Sequence, residues 1–189
     1  MKQKIGELLF QMIPVMLGVY LGFVVSNWTE SVRQQEDYKL LIASLRSEMQ
    51  VNQRQLEGII DYHITVRDSS NYYASDSHLV LKPTFFKGTR MSKLTNSAYL
   101  TGIQTGTINA LPIDVIQKVN QLYTLQKNYN DYGNLILASL INRDFSEKEE
   151  DLRNIARFLS ITMVDVVALE TQLIRGYEAI QPLLDESQK

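Results

Sequence analysis

Residues 5–28 read IGELLFQMIPVMLGVYLGFVVSNW, and this stretch decides the architecture. Apart from Glu7, Gln11 and Pro14 it is almost wholly apolar. A bilayer core of about 30 Å is crossed by about 20 apolar residues in a helix, and Leu8 to Val25 supply nearly that many. Asn27 and Trp28 close the segment. An indole ring is apolar with one polar N–H, so Trp28 fits the headgroup level as an interface anchor. A cleavable signal peptide is the alternative, with Lys2 and Lys4 as its positive start. The apolar run is long for that role, and Val24-Val25-Ser26-Asn27-Trp28 is a poor cleavage site. A buried core helix fits less well, because the stretch is apolar on every face.

Three features inside the segment carry sharper readings. Gly18, Gly22 and Ser26 recur every four residues on one helix face, where small side chains let two backbones approach closely. They are candidates for helix packing in the membrane; ordinary lipid-facing residues are the alternative. Pro14 removes a backbone hydrogen bond, and a kink is expected there. Glu7, with Gln11 one turn further in, is a candidate intramembrane polar site. Glu7 also lies close enough to the start to sit among headgroups. The flanking basic residues, Lys2 and Lys4 before and Arg33 and Lys39 after, favour the N terminus inside and the main domain outside.

Beyond residues 1–28, residues 29–189 suffice for one domain. The formal net charge of −2 gives no electrostatic footprint for nucleic acid, and no basic cluster flanks the segment to recruit anionic lipid. The chain has no cysteine, which excludes disulfides, thiol catalysis and thiolate metal sites.

The domain reads as all-α. From Thr29 to about Asp68 the chain is rich in good helix formers. Tyr38, Leu41, Leu45, Met49, Leu56, Ile59, Ile60 and Ile64 fall at helical, coiled-coil-like spacing, with Asn52 as a polar interruption. The spacing predicts one helix continuing from the membrane over residues 29–68. Residues 69–91 read as irregular, with Pro83 and Gly88 as breakers and Phe85 and Phe86 packed into the core. Further helices are expected over residues 92–105, capped by Gly106, over 112–142 from Pro112, and over 147–181, stopping near Pro182. The last opens on a capping box, Ser146-Glu147-Lys148-Glu149. An antiparallel helical bundle follows.

Ile5-Gly6-Glu7, Asn27-Trp28 with Thr29-Glu30 behind it, Ser97-Ala98-Tyr99, Gly106, Leu111-Pro112 and Tyr123 together resemble a family of single-pass membrane proteins of unknown function from Bacteroidetes-type bacteria. The resemblance spans most of the chain through short motifs. It implies a bacterial inner-membrane protein with a helical domain, and it implies no activity. Pro14 and Gln11 depart from the family pattern.

No catalytic constellation is legible, so an enzyme is not expected, and no cofactor or metal is implied. His63 and His78 lack paired-ligand spacing; His63 reads as a solvated or core-edge residue. Glu147, Glu149, Glu150 and Asp151 suit a helix start. Asp165, inside Ile161-Thr162-Met163-Val164-Asp165-Val166-Val167, fits a buried acid or one exposed position per turn. The tyrosines read as caps on apolar faces. The expected partners are the lipid bilayer and either further copies of the chain or other membrane subunits. Three functions fit: a structural or accessory protein that assembles as an oligomer or in a larger complex; an extracytoplasmic sensor binding a ligand between helices; and an ion- or proton-handling oligomer using Glu7.

Overall fold

A computed structural model describes residues 2–75, 84–143 and 148–187, with side chains from Met12 onward. Among the described residues the chain is all-α, without strands. The helices are α1 (Lys2–Glu57), α2 (Ile60–Ser75), α3 (Ser97–Thr105), α4 (Ile113–Ile141) and α5 (Glu149–Glu186), with a 3-10 turn at Thr107–Ala110 between α3 and α4.

The first helix runs unbroken through Pro14, with every described residue up to Asp37 exposed. It contains an 18-residue window of mean hydropathy 1.4, none of it buried. By length and composition this helix is able to cross a membrane. The same helix then turns a face inward: Leu41, Ile42, Leu45, Met49 and Leu56 are all buried. Apolar spacing of three and four residues places them on one stripe, and burying each such side chain is worth about 1.5–3 kcal/mol.

The expected helix over residues 29–68 is interrupted and extended. At Gly58 and Ile59 the ladder tightens, Ile59 N–H bonding to Leu56 O at 3.0 Å, three residues back. Glycine has low helix propensity and isoleucine is β-branched, so the break falls where the helix is weakest. Beyond it, residues 69–75 are helical where an irregular stretch was expected. The buried Ser70 and the Tyr73–Phe85 ring contact, 5.3 Å between centroids, hold them against the core.

The fifth helix is antiparallel to both α1 and α2. Tyr38 O–H donates to Ser187 O, Arg46 pairs with Asp185, Gln53 bonds Gln181, and His63 meets Glu170. The fourth runs parallel to α1: Glu48 meets Tyr123 and Asn52 meets Gln126. The remaining column of the bundle is half unwound. Residues 84–96, here the strap, are neither helix nor strand, and α3 completes the descent. The helix expected over 92–105 therefore starts only at Ser97, because the backbone groups of Leu94 and Thr95 bond to side chains of neighbouring helices. Phe85 and Phe86 do pack against the core.

Gly106 ends α3 at φ 74, its N–H on Ile103 O, in the left-handed cap that glycine adopts without strain. Gly102 brings α3 against α1: a Cβ there would lie 2.8 Å from Leu41 Cδ1. The last helix passes through Pro182 instead of stopping there. Pro182 is exposed, so water meets the carbonyl it orphans, and the next turn buries Leu184. Of the expected capping box, Ser146 and Glu147 lie outside the described residues, as do His78 and Pro83.

Leu45, fully buried on α1, tests this packing. Leu45→Ala is expected to cost about 2–5 kcal/mol in denaturant unfolding of the detergent-solubilised protein.

Candidate functional site

Gly18, Gly22 and Ser26 lie on α1, and a Cβ added at Gly18 or Gly22 would meet nothing within 4 Å. Trp28, 70% exposed, closes the same apolar stretch. Glu7 and Gln11 fall within α1, but their side chains lie outside those described.

The bundle interior carries a ladder of buried polar side chains on successive turns of α4. At its first level, Glu48 accepts from Tyr123 O–H at 2.7 Å through Oε1, and from Ser97 Oγ at 2.8 Å and Ala98 N at 2.9 Å through Oε2. Glu48 thus caps α3 from another helix, satisfying an N–H left orphaned at the helix start. Burial, reinforced by the Glu48 charge and hydrogen bond, pushes the Tyr123 phenol well above its ordinary range. It stays a neutral donor. Tyr99 stacks on Tyr123 with centroids 4.3 Å apart.

All four columns meet at the second level. Asn52 Nδ2 donates to Thr95 O at 2.7 Å, and Asn52 Oδ1 accepts from Thr95 N at 3.0 Å. Gln126 Nε2 also donates to Thr95 O, while its Oε1 accepts from Tyr177 O–H at 2.7 Å. One turn on, Asn130 engages both backbone groups of Leu94, at 3.0 and 3.1 Å. Thr95 is met by Asn52 from α1 and by Gln126 from α4, and Leu94 by Asn130 from α4.

The third level holds His63, fully buried rather than solvated or at the core edge. Its Nε2 lies 2.8 Å from Thr89 O and its Nδ1 2.8 Å from Glu170 Oε1, which also accepts from Tyr129 O–H at 2.9 Å. A carbonyl only accepts, so Nε2 carries a hydrogen. Nδ1 and the carboxyl then share the next one. Glu170 Oε2 finds no hydrogen-bond partner among the described residues. Burial raises the Tyr129 phenol far above its ordinary range, with the Glu170 charge adding to it.

Asp165 is not a buried acid. It sits at the surface, accepting from Tyr132 O–H at 3.0 Å. Glu149, Glu150 and Asp151 occupy the first turn of α5, where carboxylates complement the helix dipole. Among the described residues no group of three or more His, Asp or Glu is placed to hold a metal ion. An open furrow of about 860 Å³ lies between α1 and α3, walled by Leu40, Ser44, Ser47, Val51, Thr101 and Thr105.

Comparison with family models, with curated proteins and with solved structures gave no match. The resemblance drawn from the Ile5-Gly6-Glu7, Asn27-Trp28 and Ser97-Ala98-Tyr99 motifs rests on those motifs alone.

Sequence reasoning flagged Asn52 but missed Glu48, Gln126 and Glu170. Their signal is phase: Glu170 falls in the helical series Met163, Val166, Leu173, Tyr177, and Gln126 in the series Val119, Leu122, Tyr129.

Removing these groups should rank by what is left unpaired. Asn52→Leu orphans Thr95 N–H and is expected to cost about 1–3 kcal/mol. Glu170→Leu strips His63 of its buried partner and should cost more, about 3–5 kcal/mol. Denaturant unfolding of both variants checks the order.

Burial and then Asp165 push the Tyr132 phenol up to about 12, from 10.0. Above pH 10 the folded state keeps a proton that the unfolded chain has lost. The stability tied to it is therefore present below pH 10 and lost as pH climbs through about 12. Asp165→Asn should lower that phenol toward its ordinary value in an ultraviolet phenolate titration.

Proposed function

We propose that this chain is a membrane-anchored structural or accessory protein that assembles as an oligomer or as a subunit of a larger membrane complex. The observation that carries the reading is that α1 is one helix from the apolar segment into the core of the bundle. Anchor and domain share a single rod, which suits holding a position relative to the membrane or to a partner. The use of the buried polar side chains supports the same reading. Glu48, Asn52, Gln126 and His63 all bond to the strap or to the start of α3, so they serve the fold.

The proposal takes a bacterial inner membrane as the location and the periplasmic side as that of the bundle. Its support is the Lys2 and Lys4 pair ahead of the segment and the resemblance of the anchor motifs. A chain without cysteine makes the test clean. Glu178→Cys, exposed on α5, should react with an impermeant maleimide from the outer face of intact inner-membrane vesicles and stay protected in inverted ones.

Association through Gly18, Gly22 and Ser26 is the proposed route to assembly. Gly22→Ile adds bulk to the proposed contact where the chain's own fold has open space. The dimer fraction in membranes, read by energy transfer between labelled copies, is expected to fall several-fold. An unchanged fraction would remove this face from consideration.

A second reading, a sensor, is favoured by the furrow beside α1, because a ligand there would press on the membrane helix directly. A metabolite that raises the melting temperature of the full chain, with the rise lost in Ser47→Trp, would favour it over scaffolding.

A further inference from the structure

His63 stands between two acceptors. Its Nε2 lies 2.8 Å from Thr89 O on the strap, and its Nδ1 lies 2.8 Å from Glu170 Oε1 on α5. A neutral imidazole carries one N–H and serves only one of these contacts. Both are hydrogen bonds when the pair holds a further proton, as imidazolium with carboxylate or as imidazole with carboxylic acid. Both side chains are fully buried. Glu170 Oε2 has no hydrogen-bond partner among the described residues, so a bare carboxylate is poorly compensated there. In an unfolded chain an imidazolium gives up its proton near about pH 6.5 and a glutamic acid near about 4.3. Above that range the closed fold carries one proton more than the unfolded chain.

The backbone beside this contact is strained. Arg90 follows Thr89 with φ at 47°, in the left-handed region that a residue with a Cβ enters at a cost. Such a conformation persists where its surroundings fix it. Around His63 and Glu170 stand Tyr129 from α4, Tyr62 on α2 with its ring 5.5 Å from the imidazole, and Arg90, whose guanidinium lies 5.0 Å over Tyr62. One turn along α2, Arg67 pairs with Asp68. On α5 the adjoining turns carry the apolar Val166, Val167 and Leu173. Burial keeps the Tyr129 phenol protonated far above its ordinary range, and a guanidinium keeps its charge. The proton shared by His63 and Glu170 is therefore the one that can leave first.

We propose that His63 and Glu170 form a proton-operated latch on the strap, closed while the pair holds its shared proton and opened at Thr89 when that proton passes to solvent. The inference does not depend on the oligomer reading. After the loss, the hydrogen remaining on the ring goes to Nδ1, because its bond to a carboxylate is charge-assisted. Nε2 then turns a lone pair on Thr89 O, and the two repel. Thr89 moves off and Arg90 relaxes. Tyr62 donates to Gly88 O at 2.6 Å and accepts from Lys87 N at 2.8 Å, so the strap stays tethered just ahead of the opening.

Hydrogen–deuterium exchange over residues 87–93 of the full chain in detergent, from about pH 6.5 to about 9, tests the latch. Glu170→Gln is the reference at each pH, because an amide donates to Nδ1 without a shared proton and keeps the latch closed. The ratio of wild-type to Glu170→Gln exchange is expected to climb toward about tenfold per pH unit as the proton leaves, while α1 and α4 show no such rise. A ratio independent of pH would overturn the proposal. Should Glu170→Gln fail to fold, nitrogen NMR of the histidine-labelled His78→Asn chain decides, since His63 is then its one histidine. A change from Nε2–H to Nδ1–H on raising the pH is expected, and Nε2–H retained throughout would overturn the latch.

Discussion

A backbone that is not helical takes the place of one column of a helical bundle, and the N–H and C=O groups it turns toward the other columns must be paired there. An unpaired buried peptide group costs about as much as a lost hydrogen bond. The strap cannot pair with itself, so the surrounding helices supply the partners. Asn52 and Asn130 each offer a side-chain amide that matches one residue's donor and acceptor, Gln126 doubles the contact to Thr95, and His63 takes Thr89 O. These residues would be costly in a column of four regular helices. The unwound segment and the buried polar ladder therefore explain one another, and neither is tolerable alone.

The ladder also fixes register. Asn52, Thr95, Gln126 and Tyr177 come from four different parts of the chain and meet at one level. Sliding any column by a turn would put an amide against an apolar neighbour. The apolar layers around it, Leu45 and Met49 on α1 with Leu159, Met163 and Leu173 on α5, supply most of the free energy of burial. They would accept several registers. The interruption at Gly58 divides α1 from α2, and both pack along α5.

The long helices were legible because their apolar residues repeat at 3.6 over many turns, and α4 and α5 open within two residues of the starts expected from Pro112 and from the Ser146-Glu147-Lys148-Glu149 stretch. Pro182 misled, since an exposed proline with a buried Leu184 beyond it does not end a helix. The strap was legible as irregular only as far as Met91, because Ser92 to Thr95 carries nothing that forbids a helix. Its conformation is set by asparagines far away in sequence. His63 was read as near solvent because its partner, Glu170, lies 107 residues along the chain. A charged residue in core phase, as at Glu48 and Glu170, is the one local sign that a polar partner waits across the bundle. The furrow arises where α3 stands beside α1, which no local pattern encodes.

Because α1 is continuous, the stretch from Thr29 to Asp37 acts as a phase ruler between the apolar segment and the bundle. Each residue inserted or deleted there would turn one end against the other by about 100° and shift it by about 1.5 Å. Changes of seven or eleven residues would restore the alignment approximately, and changes of two or five would set the two ends facing opposite ways. The length of this stretch is therefore a quantity in its own right, counted in turns and largely indifferent to which side chains fill it.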